Sequence, residues 1–156
     1  MIYSNWKDID IKDTIKQGRA LCLDYGLKRT GVAISDAGWE IATPIKVIET
    51  NLIIQKLNIL FSEYNIGLIV IGVPVALNGG YNGTQHEIVN DFTNQLHEII
   101  NLDILQYDER FSTVAASRIL NEYEMTWHKK RSNIDKIAAS FILQGLLDNI
   151  NYCLRK

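Results

Sequence analysis

The sequence predicts one α/β domain built on a single mixed β-sheet, and three features of its hydrophobic pattern indicate this. Two short apolar segments, 19–24 and 31–35, flank a turn, which is typical of a β-hairpin. The segment LIVIGVP at 68–74 is apolar on successive residues, as a strand covered on both faces must be. Around that segment, apolar residues recur at helical spacing, so helices are expected to connect parallel strands.

The first three strands are predicted to be antiparallel. The turn at 25–30 joins the two hairpin strands, and a third strand is predicted at 41–49. Pro44 lies within this third strand and has no N–H to donate to the ladder. The strand is therefore predicted to lie at a sheet edge or to contain a bulge.

Helices and strands alternate in the remaining chain. After the third strand come a helix, the buried strand at 68–74, a second helix, a fifth strand at 102–110 and two final helices. Ser112 or Thr113 can cap the first of these two helices, and Ser132 or Asn133 can cap the last one. The predicted fold is thus a five-stranded mixed sheet, with three antiparallel and two parallel strands and helices on both faces.

The domain is predicted to span residues 19–156, after an N-terminal extension at 1–18 to which no function is assigned. The content of 47% hydrophobic residues, with 10 Gly and 2 Pro in 156 residues, excludes a disordered tail protein and a fibrous repeat. No signal peptide and no membrane span is visible, so a cytoplasmic location is expected. Cys22 and Cys153 are expected to be buried, reduced thiols.

The charge of the chain is unevenly distributed. Sixteen Lys and Arg against eighteen Asp and Glu give a net charge of −2, which argues against a general nucleic-acid coat protein. The segments 14–35 and 126–136 are nevertheless both basic, and each encloses one acidic residue. These two basic segments, with their enclosed acids, are candidates for contact with a polyanion.

Acidic residues stand at the ends of predicted strands and at the start of a predicted helix. Asp24 ends an apolar strand, Asp108 and Glu109 end the fifth strand, and Asp135 lies in the predicted first turn of the last helix. Because successive strand side chains face opposite sides, only one of Asp108 and Glu109 can share a site with Asp24. A turn aspartate at 24 and a helix-dipole role for Asp135 are the simpler alternatives.

Three converging carboxylates would suit Mg²⁺ or Mn²⁺ rather than zinc. The three histidines lack a Cys or His partner at zinc spacing; they are His86, His97 and His128. A carboxylate cluster beside basic segments is the chemistry that metal-dependent phosphodiester hydrolysis requires. Phosphodiester hydrolysis is therefore a candidate function.

Four separated motifs then resemble, in order, those of the YqgF/RuvX family. They are LDYGLKRTGVAISD at 23–36, IVIGVPVALNGGYNG at 69–83, YDERFST at 107–113 and IDKIAASFILQGLLD at 134–148. The resemblance implies an RNase H-like fold related to that of RuvC-type Holliday junction resolvases. It also implies one of two activities described for the family, maturation of the 5′ end of pre-16S ribosomal RNA or resolution of Holliday junctions.

The resemblance also implies roles for individual residues. Asp24 corresponds to the first catalytic acid, Asp108 or Glu109 to the second and Asp135 to the last. Glu109 is favoured over Asp108 because its side chain reaches further. Asp24, Glu109 and Asp135 are the implied ligands of Mg²⁺ or Mn²⁺.

The resemblance implies supporting roles around these acids. Gly26 and Gly31 would keep the hairpin open beside Asp24. Five basic residues would grip nucleic acid: Lys28, Arg29, Arg110, Lys130 and Arg131. Tyr25, Tyr81 and Trp127 would either stack on unpaired bases or pack within the protein.

The predicted function is thus a magnesium-dependent endonuclease, a hydrolase acting on structured RNA or branched DNA. Maturation of pre-16S ribosomal RNA is the favoured role and Holliday junction resolution is the alternative. An RNA-binding module that associates with ribosome precursors without cutting is the alternative from another class. The first hairpin also resembles that of actin-like sugar kinases, which need a much longer chain. Whether the protein acts as a monomer or a homodimer stays open.

Overall fold

The computed structural model describes residues 1–73, 83–108 and 127–156, without the side chains of 127–133, 135 and 136. The strands are β1 (Ile2–Tyr3), β2 (Arg19–Tyr25), β3 (Arg29–Ser35), β4 (Ala42–Glu49), β5 (Ile66–Val73) and β6 (Asp103–Asp108). The helices are α1 (Ile11–Gln17), α2 (Ile53–Glu63), α3 (Gly83–Ile99) and α4 (Trp127–Leu154).

The strands form one mixed sheet in the order β1-β6-β5-β2-β3-β4. Strands β2, β3 and β4 are antiparallel neighbours, whereas β1, β6, β5 and β2 run parallel to one another. The predicted mixed α/β sheet with helices on both faces is confirmed, but the predicted count of five strands is wrong, since the sheet has six. The three antiparallel strands were predicted correctly.

The sixth strand comes from the N-terminal segment. In β1, Ile2 pairs with Ile104 and Tyr3 with Leu105, so these two residues extend the sheet beyond β6. A strand of two residues has no alternating pattern, so periodicity could not reveal it. Residues 1–18 are thus part of the packed structure, with Ile9 and Ile11 buried in the core.

Pro44 produces both of the features that its sequence position suggested. Its strand β4 lies at the edge of the sheet. The register also shifts there, because Val32 pairs with Lys46 whereas the next residue, Ala33, pairs with Pro44. The edge position and the bulge together accommodate the missing N–H.

Helices cover both faces of the sheet, and each face has its own core. The α3 face is covered by α2 and α3, and its buried strand residues include Leu21, Leu23, Ile69 and Ile71. The α4 face is covered by α4 and the α1 segment, and its buried strand residues include Ala20, Cys22, Leu68 and Val70. This strict alternation along β2 and β5 is what a strand buried on both faces requires.

The last helix begins earlier than predicted. Helix α4 starts at Trp127, so Ser132 and Asn133 lie inside it and are not its caps. The residues before them are good helix formers, Lys129, Lys130 and Arg131, which extend the helix toward the N-terminus. The predicted helix after Ser112 or Thr113 lies outside the described residues. None of the described helices is long and apolar enough to cross a membrane.

The two cysteines are free, but they differ in exposure. Cys22 is buried in β2, as predicted. Cys153 is exposed, so the prediction of burial is wrong for this residue. Its place in the last turn of α4, beyond the buried Ile150, explains the difference.

The turn between β3 and β4 is organised by the Asp36 carboxylate. Its Oδ1 accepts hydrogen bonds from the backbone N–H groups of Glu40 at 2.7 Å and Ile41 at 2.9 Å. The turn holds Trp39 fully buried at a positive φ of 56°, and the Trp39 Nε1–H donates to the Gly18 carbonyl oxygen at 2.9 Å. Burial raises the pKa of Asp36, but the backbone hydrogen bonds outweigh it, and the pKa lies below its usual value.

We predict that Asp36→Ala lowers the free energy of unfolding by about 1–3 kcal/mol, because the turn loses its acceptor. Since the folded pKa of Asp36 lies below the ordinary 3.8, its ionised form stabilises the fold above that pH. This contribution is lost as the pH falls through the folded pKa. Urea unfolding measures the difference in free energy of unfolding between wild type and Asp36→Ala. This difference should be smaller at about pH 3 than at about pH 7. Equal urea midpoints at about pH 7 would contradict this account.

Candidate active site

The carboxyl ends of four parallel strands meet at one edge of the sheet, and two of the predicted acids lie there. Asp24 is near the end of β2, and Asp108 ends β6. Strand β5 lies between them: Leu23 pairs with Ile71, and Val73 pairs with Asp108. The two acids are therefore two strands apart, about 10 Å across the sheet.

The two acids lie on opposite faces of the sheet. Asp24 follows the alternation of Ala20 and Cys22, which belong to the core under α4. In β6, the Gln106 amide donates to Asn90 Oδ1 at 2.8 Å and Thr93 Oγ1 at 3.2 Å, both in α3.

The next residue in β6 confirms this alternation. The Tyr107 hydroxyl accepts a hydrogen bond from Asn149 Nδ2 of α4 at 2.7 Å, so Tyr107 lies on the α4 face. Asp108 follows Gln106 by two residues and so lies on the α3 face. Glu109, the alternative second acid, lies outside the described residues.

Glycines occupy the strand positions on both sides of Asp24. Gly31 of β3 is its antiparallel partner, and Gly72 of β5 follows the residue that pairs with Leu23. Neither glycine has a side chain that could cover the carboxylate from the side. The sequence prediction included Gly31 but missed Gly72, although a glycine within the otherwise apolar segment LIVIGVP was the available signal.

The hairpin turn that follows Asp24 is tightly closed at Gly26. The Gly26 N–H donates to the Arg29 carbonyl oxygen at 3.1 Å. A Cβ at position 26 would lie 2.4 Å from that same oxygen, so a larger residue cannot fit without moving the turn. The predicted role of Gly26 in shaping the hairpin therefore has a steric basis.

Thr50 holds the hairpin turn from outside, which the sequence did not reveal. Its Oγ1 donates to the Gly26 carbonyl oxygen at 2.6 Å, and its backbone N–H donates to the Lys28 carbonyl oxygen at 3.0 Å. The Thr30 hydroxyl lies 2.9 Å from Thr50 Oγ1. These bonds fix the turn that presents Lys28, which is exposed, and Arg29, which is half-buried.

Asp135 is the ninth residue of α4, because this helix begins at Trp127. The predicted position in the first turn is therefore wrong. The helix dipole acts mainly within the first turn, so it does not explain an acid at this position. Asp135 precedes Ala138 and Ala139, both buried, by about one turn.

Other predicted site residues are described in part or not at all. Lys130 and Arg131 lie in the first turns of α4, with only their backbone described, and Arg110 lies outside the described residues. Tyr81 is also outside. The ring of Tyr25 stacks on Phe92 at a centroid distance of 4.0 Å, and burial raises its pKa. Tyr25 thus packs within the protein.

The described side chains contain no group of three His, Cys, Asp or Glu that could hold a metal ion. Of the three proposed ligands, only the side chain of Asp24 is within that part of the chain. A half-buried carboxylate at a strand end, with glycines on both sides, is compatible with an oxygen-binding cation such as Mg²⁺. The geometry available thus fits one ligand of the predicted site.

A family model described as "RuvX: Holliday junction resolvase" matches residues 18–149, which is most of the chain. The chain belongs to the RuvX family. The match includes β2 to β6 and nearly all of α4, so the strand ends and the hairpin described above fall within the family region.

Curated relatives match over nearly their whole length. A protein of Pelagibacter ubique is 40% identical over 93% of this chain and 97% of its own length. One from Caldicellulosiruptor bescii is 39% identical over 85% of this chain and 98% of its own length. One from Bacillus cereus is 40% identical over 83% of this chain and 98% of its own length. All three carry the name "Putative pre-16S rRNA nuclease".

Among solved structures, the yeast mitochondrial Holliday junction resolvase Ydc2 is similar with a TM-score of 0.45 and 13% identity. The alignment covers 97% of this chain and 92% of that protein.

Two glycine substitutions should change stability in opposite directions. Gly26→Ala is expected to lower the free energy of unfolding by about 1–3 kcal/mol, because its Cβ meets a backbone oxygen. Gly145→Ala is the matched control. Gly145 lies within α4, and a Cβ added there would have no atom within 4 Å apart from the backbone of its own helix. This substitution should raise stability by about 0.5–1 kcal/mol. Thermal unfolding measures both, and a stabilising Gly26→Ala would contradict the turn geometry described here.

Proposed function

We propose that this protein is a metal-dependent endonuclease that hydrolyses phosphodiester bonds, with Asp24 as its central acid. The observation that supports this most directly is the position of Asp24 at the carboxyl edge of parallel strands, between Gly31 and Gly72. Membership in the RuvX family, whose model is described as a Holliday junction resolvase, supports a nuclease role for an acid at that position. Glycine at both neighbouring positions leaves no side chain there that would exclude an ion or a phosphate.

Asp24, Glu109 and Asp135 would hold Mg²⁺ or Mn²⁺. When bound, such an ion supplies activation of the attacking water and stabilisation of the leaving oxygen. The carboxylates supply the negative charge that retains the ion and fix its place relative to the sheet.

The alternation along β6 favours Glu109 over Asp108 as the second acid. Asp108 lies on the α3 face, whereas Asp24 lies on the α4 face. A residue one position further along an extended chain would return to the α4 face. Glu109 also has the longer side chain, which would help to span the separation of about 10 Å between β2 and β6.

The packing of α4 supports Asp135 as the third acid. This helix covers the face that carries Asp24. Gln144 accepts from the Ala42 N–H at 2.8 Å, and Asn151 donates to the Trp39 carbonyl oxygen at 2.8 Å. Both contacts lie at the edge where β2 begins. The N-terminal part of α4, which contains Asp135, is therefore the part available to approach the opposite edge.

Basic residues would retain the polyanionic substrate around the acids. Lys28 and Arg29 are held in the hairpin turn that Thr50 fixes, four and five residues after Asp24. Arg110, Lys130 and Arg131 are proposed to complete this set. Each contact with a phosphate releases counterions, so binding should weaken as salt is added.

The favoured substrate is precursor 16S ribosomal RNA, because the curated relatives are named for it at about 40% identity. The second candidate is a four-way DNA junction, which the description of the family favours. A non-catalytic RNA-binding module is the remaining alternative. Cleavage of both substrates, assayed in parallel with Mg²⁺ or EDTA, separates these three possibilities.

We predict that Asp24→Asn abolishes cleavage, with a loss of at least about 100-fold, while the protein stays folded. The amide keeps the shape of the side chain but removes the charge that would hold the ion. Asp91→Asn is the matched control, since Asp91 is an exposed acid of α3. Cleavage of labelled precursor RNA measures the effect.

The outcome that contradicts the proposal is a fully active Asp24→Asn protein. If wild type binds RNA but cuts neither substrate, the non-catalytic module becomes the better interpretation. A metal-binding measurement supports the distinction, because an inert module has no need to bind Mg²⁺ at Asp24.

The choice of the second acid has its own test. We expect Glu109→Gln to reduce the cleavage rate by at least about 100-fold and Asp108→Asn to reduce it by less than about tenfold. The reason is that Asp108 lies on the face away from Asp24. Single-turnover cleavage at saturating Mg²⁺ measures both rates. A larger loss in Asp108→Asn than in Glu109→Gln would contradict the assignment of Asp108 to the face away from Asp24.

A further inference from the structure

A groove lies between the hairpin turn after Asp24 and the first turns of α3. One wall is the turn at 26–29, and the other consists of Thr84, Gln85 and Ile88. Its volume is about 410 Å³. This is within the range of about 300–1,000 Å³ typical of small-ligand pockets, so the groove is large enough for a mononucleotide.

The walls of the groove combine apolar surface with positive charge. Leu27 at the tip of the turn is 74% exposed, and Ile88 across from it is half-buried. Lys28 and Arg29 provide two positive charges on the same wall, and none of the described lining residues is acidic. Thr84 and Gln85 add hydrogen-bonding groups.

Single-stranded nucleic acid has the matching chemistry. Its phosphates are anionic, its unstacked bases present flat apolar faces, and the edges of those bases donate and accept hydrogen bonds. A double helix keeps its bases stacked and offers no free base face to Leu27 and Ile88. The charge and polarity of the groove therefore favour a single strand.

The groove lies at the sheet edge where β2 ends, on the α3 side, whereas the Asp24 carboxylate lies on the α4 side of the same edge. Gly26, which belongs to its wall, follows Asp24 by two residues, or about 7 Å along an extended chain. Thr50 fixes the wall by its hydrogen bonds to the carbonyl oxygens of Gly26 and Lys28. The wall is thus held in a constant position relative to Asp24.

From this combination we propose that the groove binds one unstacked nucleotide of a single-stranded segment that continues over the sheet edge from the cleaved bond. The inference rests on the proposed nuclease function and adds a substrate class to it: single-stranded RNA or DNA, or the single-stranded part of a larger substrate. Leu27 and Ile88 contact the base, and Lys28 and Arg29 contact the neighbouring phosphates.

The test is binding of a short fluorescein-labelled RNA without self-complementarity, compared with the same RNA annealed to its complement. The full chain is used in EDTA, so that no cleavage occurs. Wild type should bind the single strand more tightly. Leu27→Ser should weaken that binding by about tenfold, because the base loses its apolar contact.

The charge contribution is measured by titration with salt. Lys28→Gln should reduce the slope of log K against log salt by about 0.7, the value for one phosphate contact of a single strand. Ile59→Ser and Lys56→Gln are the matched controls, since both residues are exposed on α2. Both should bind as wild type. Because Leu27 and Lys28 are exposed, their substitution should leave the fold intact. Melting temperatures of both variants equal to that of wild type would exclude misfolding.

Two results would overturn the inference: equal affinity for the duplex and the single strand, or wild-type binding by both Leu27→Ser and Lys28→Gln. The cleavage assay keeps this failure separate from that of the proposed function. If the groove variants bind and cut normally while Asp24→Asn is inactive, the proposed nucleotide binding in the groove is wrong and the nuclease function is supported. If wild type never cuts but the groove variants lose binding, nucleotide binding in the groove is supported and the nuclease function is wrong.

Discussion

The parallel pairing of β2 with β5 is the constraint on which the candidate site depends. It brings the end of β2 to the same edge as the ends of β5 and β6, and it places Gly72 beside Asp24. Both strands are buried on both faces, so a slip of one residue would move Leu21 and Leu23 out of their core. The register that packs the two cores therefore also fixes the face on which the Asp24 carboxylate lies.

The same alternation separates residues that are adjacent in sequence into different roles. Gln106 is bound to α3 and Tyr107 to α4, although they are neighbours in β6. In β2, Asp24 belongs to the α4 face, whereas the ring of Tyr25 stacks on Phe92 of α3. Neighbouring residues of one strand thus contact different helices, and each face carries its own packed core.

Hydrophobic periodicity predicted much of the fold because the strands β2 and β5 and the inner faces of the helices are strongly apolar. It could not predict β1, which is two residues long, nor the start of α4, whose first residues are basic and polar and show no apolar periodicity. Asp24 and Gly31 were recognisable from their motif. Gly72 was missed although it interrupts an apolar segment. Thr50 was not recognisable, because its importance comes from hydrogen bonds with residues distant in sequence.

Locating a bound Mn²⁺ ion by its anomalous scattering in crystals of the protein tests the central claim most directly. The account predicts an ion on the α4 face of the sheet, about 2 Å from an oxygen of Asp24. An ion bound to Asp108 on the α3 face, or crystals saturated with Mn²⁺ that show none at Asp24, would contradict it.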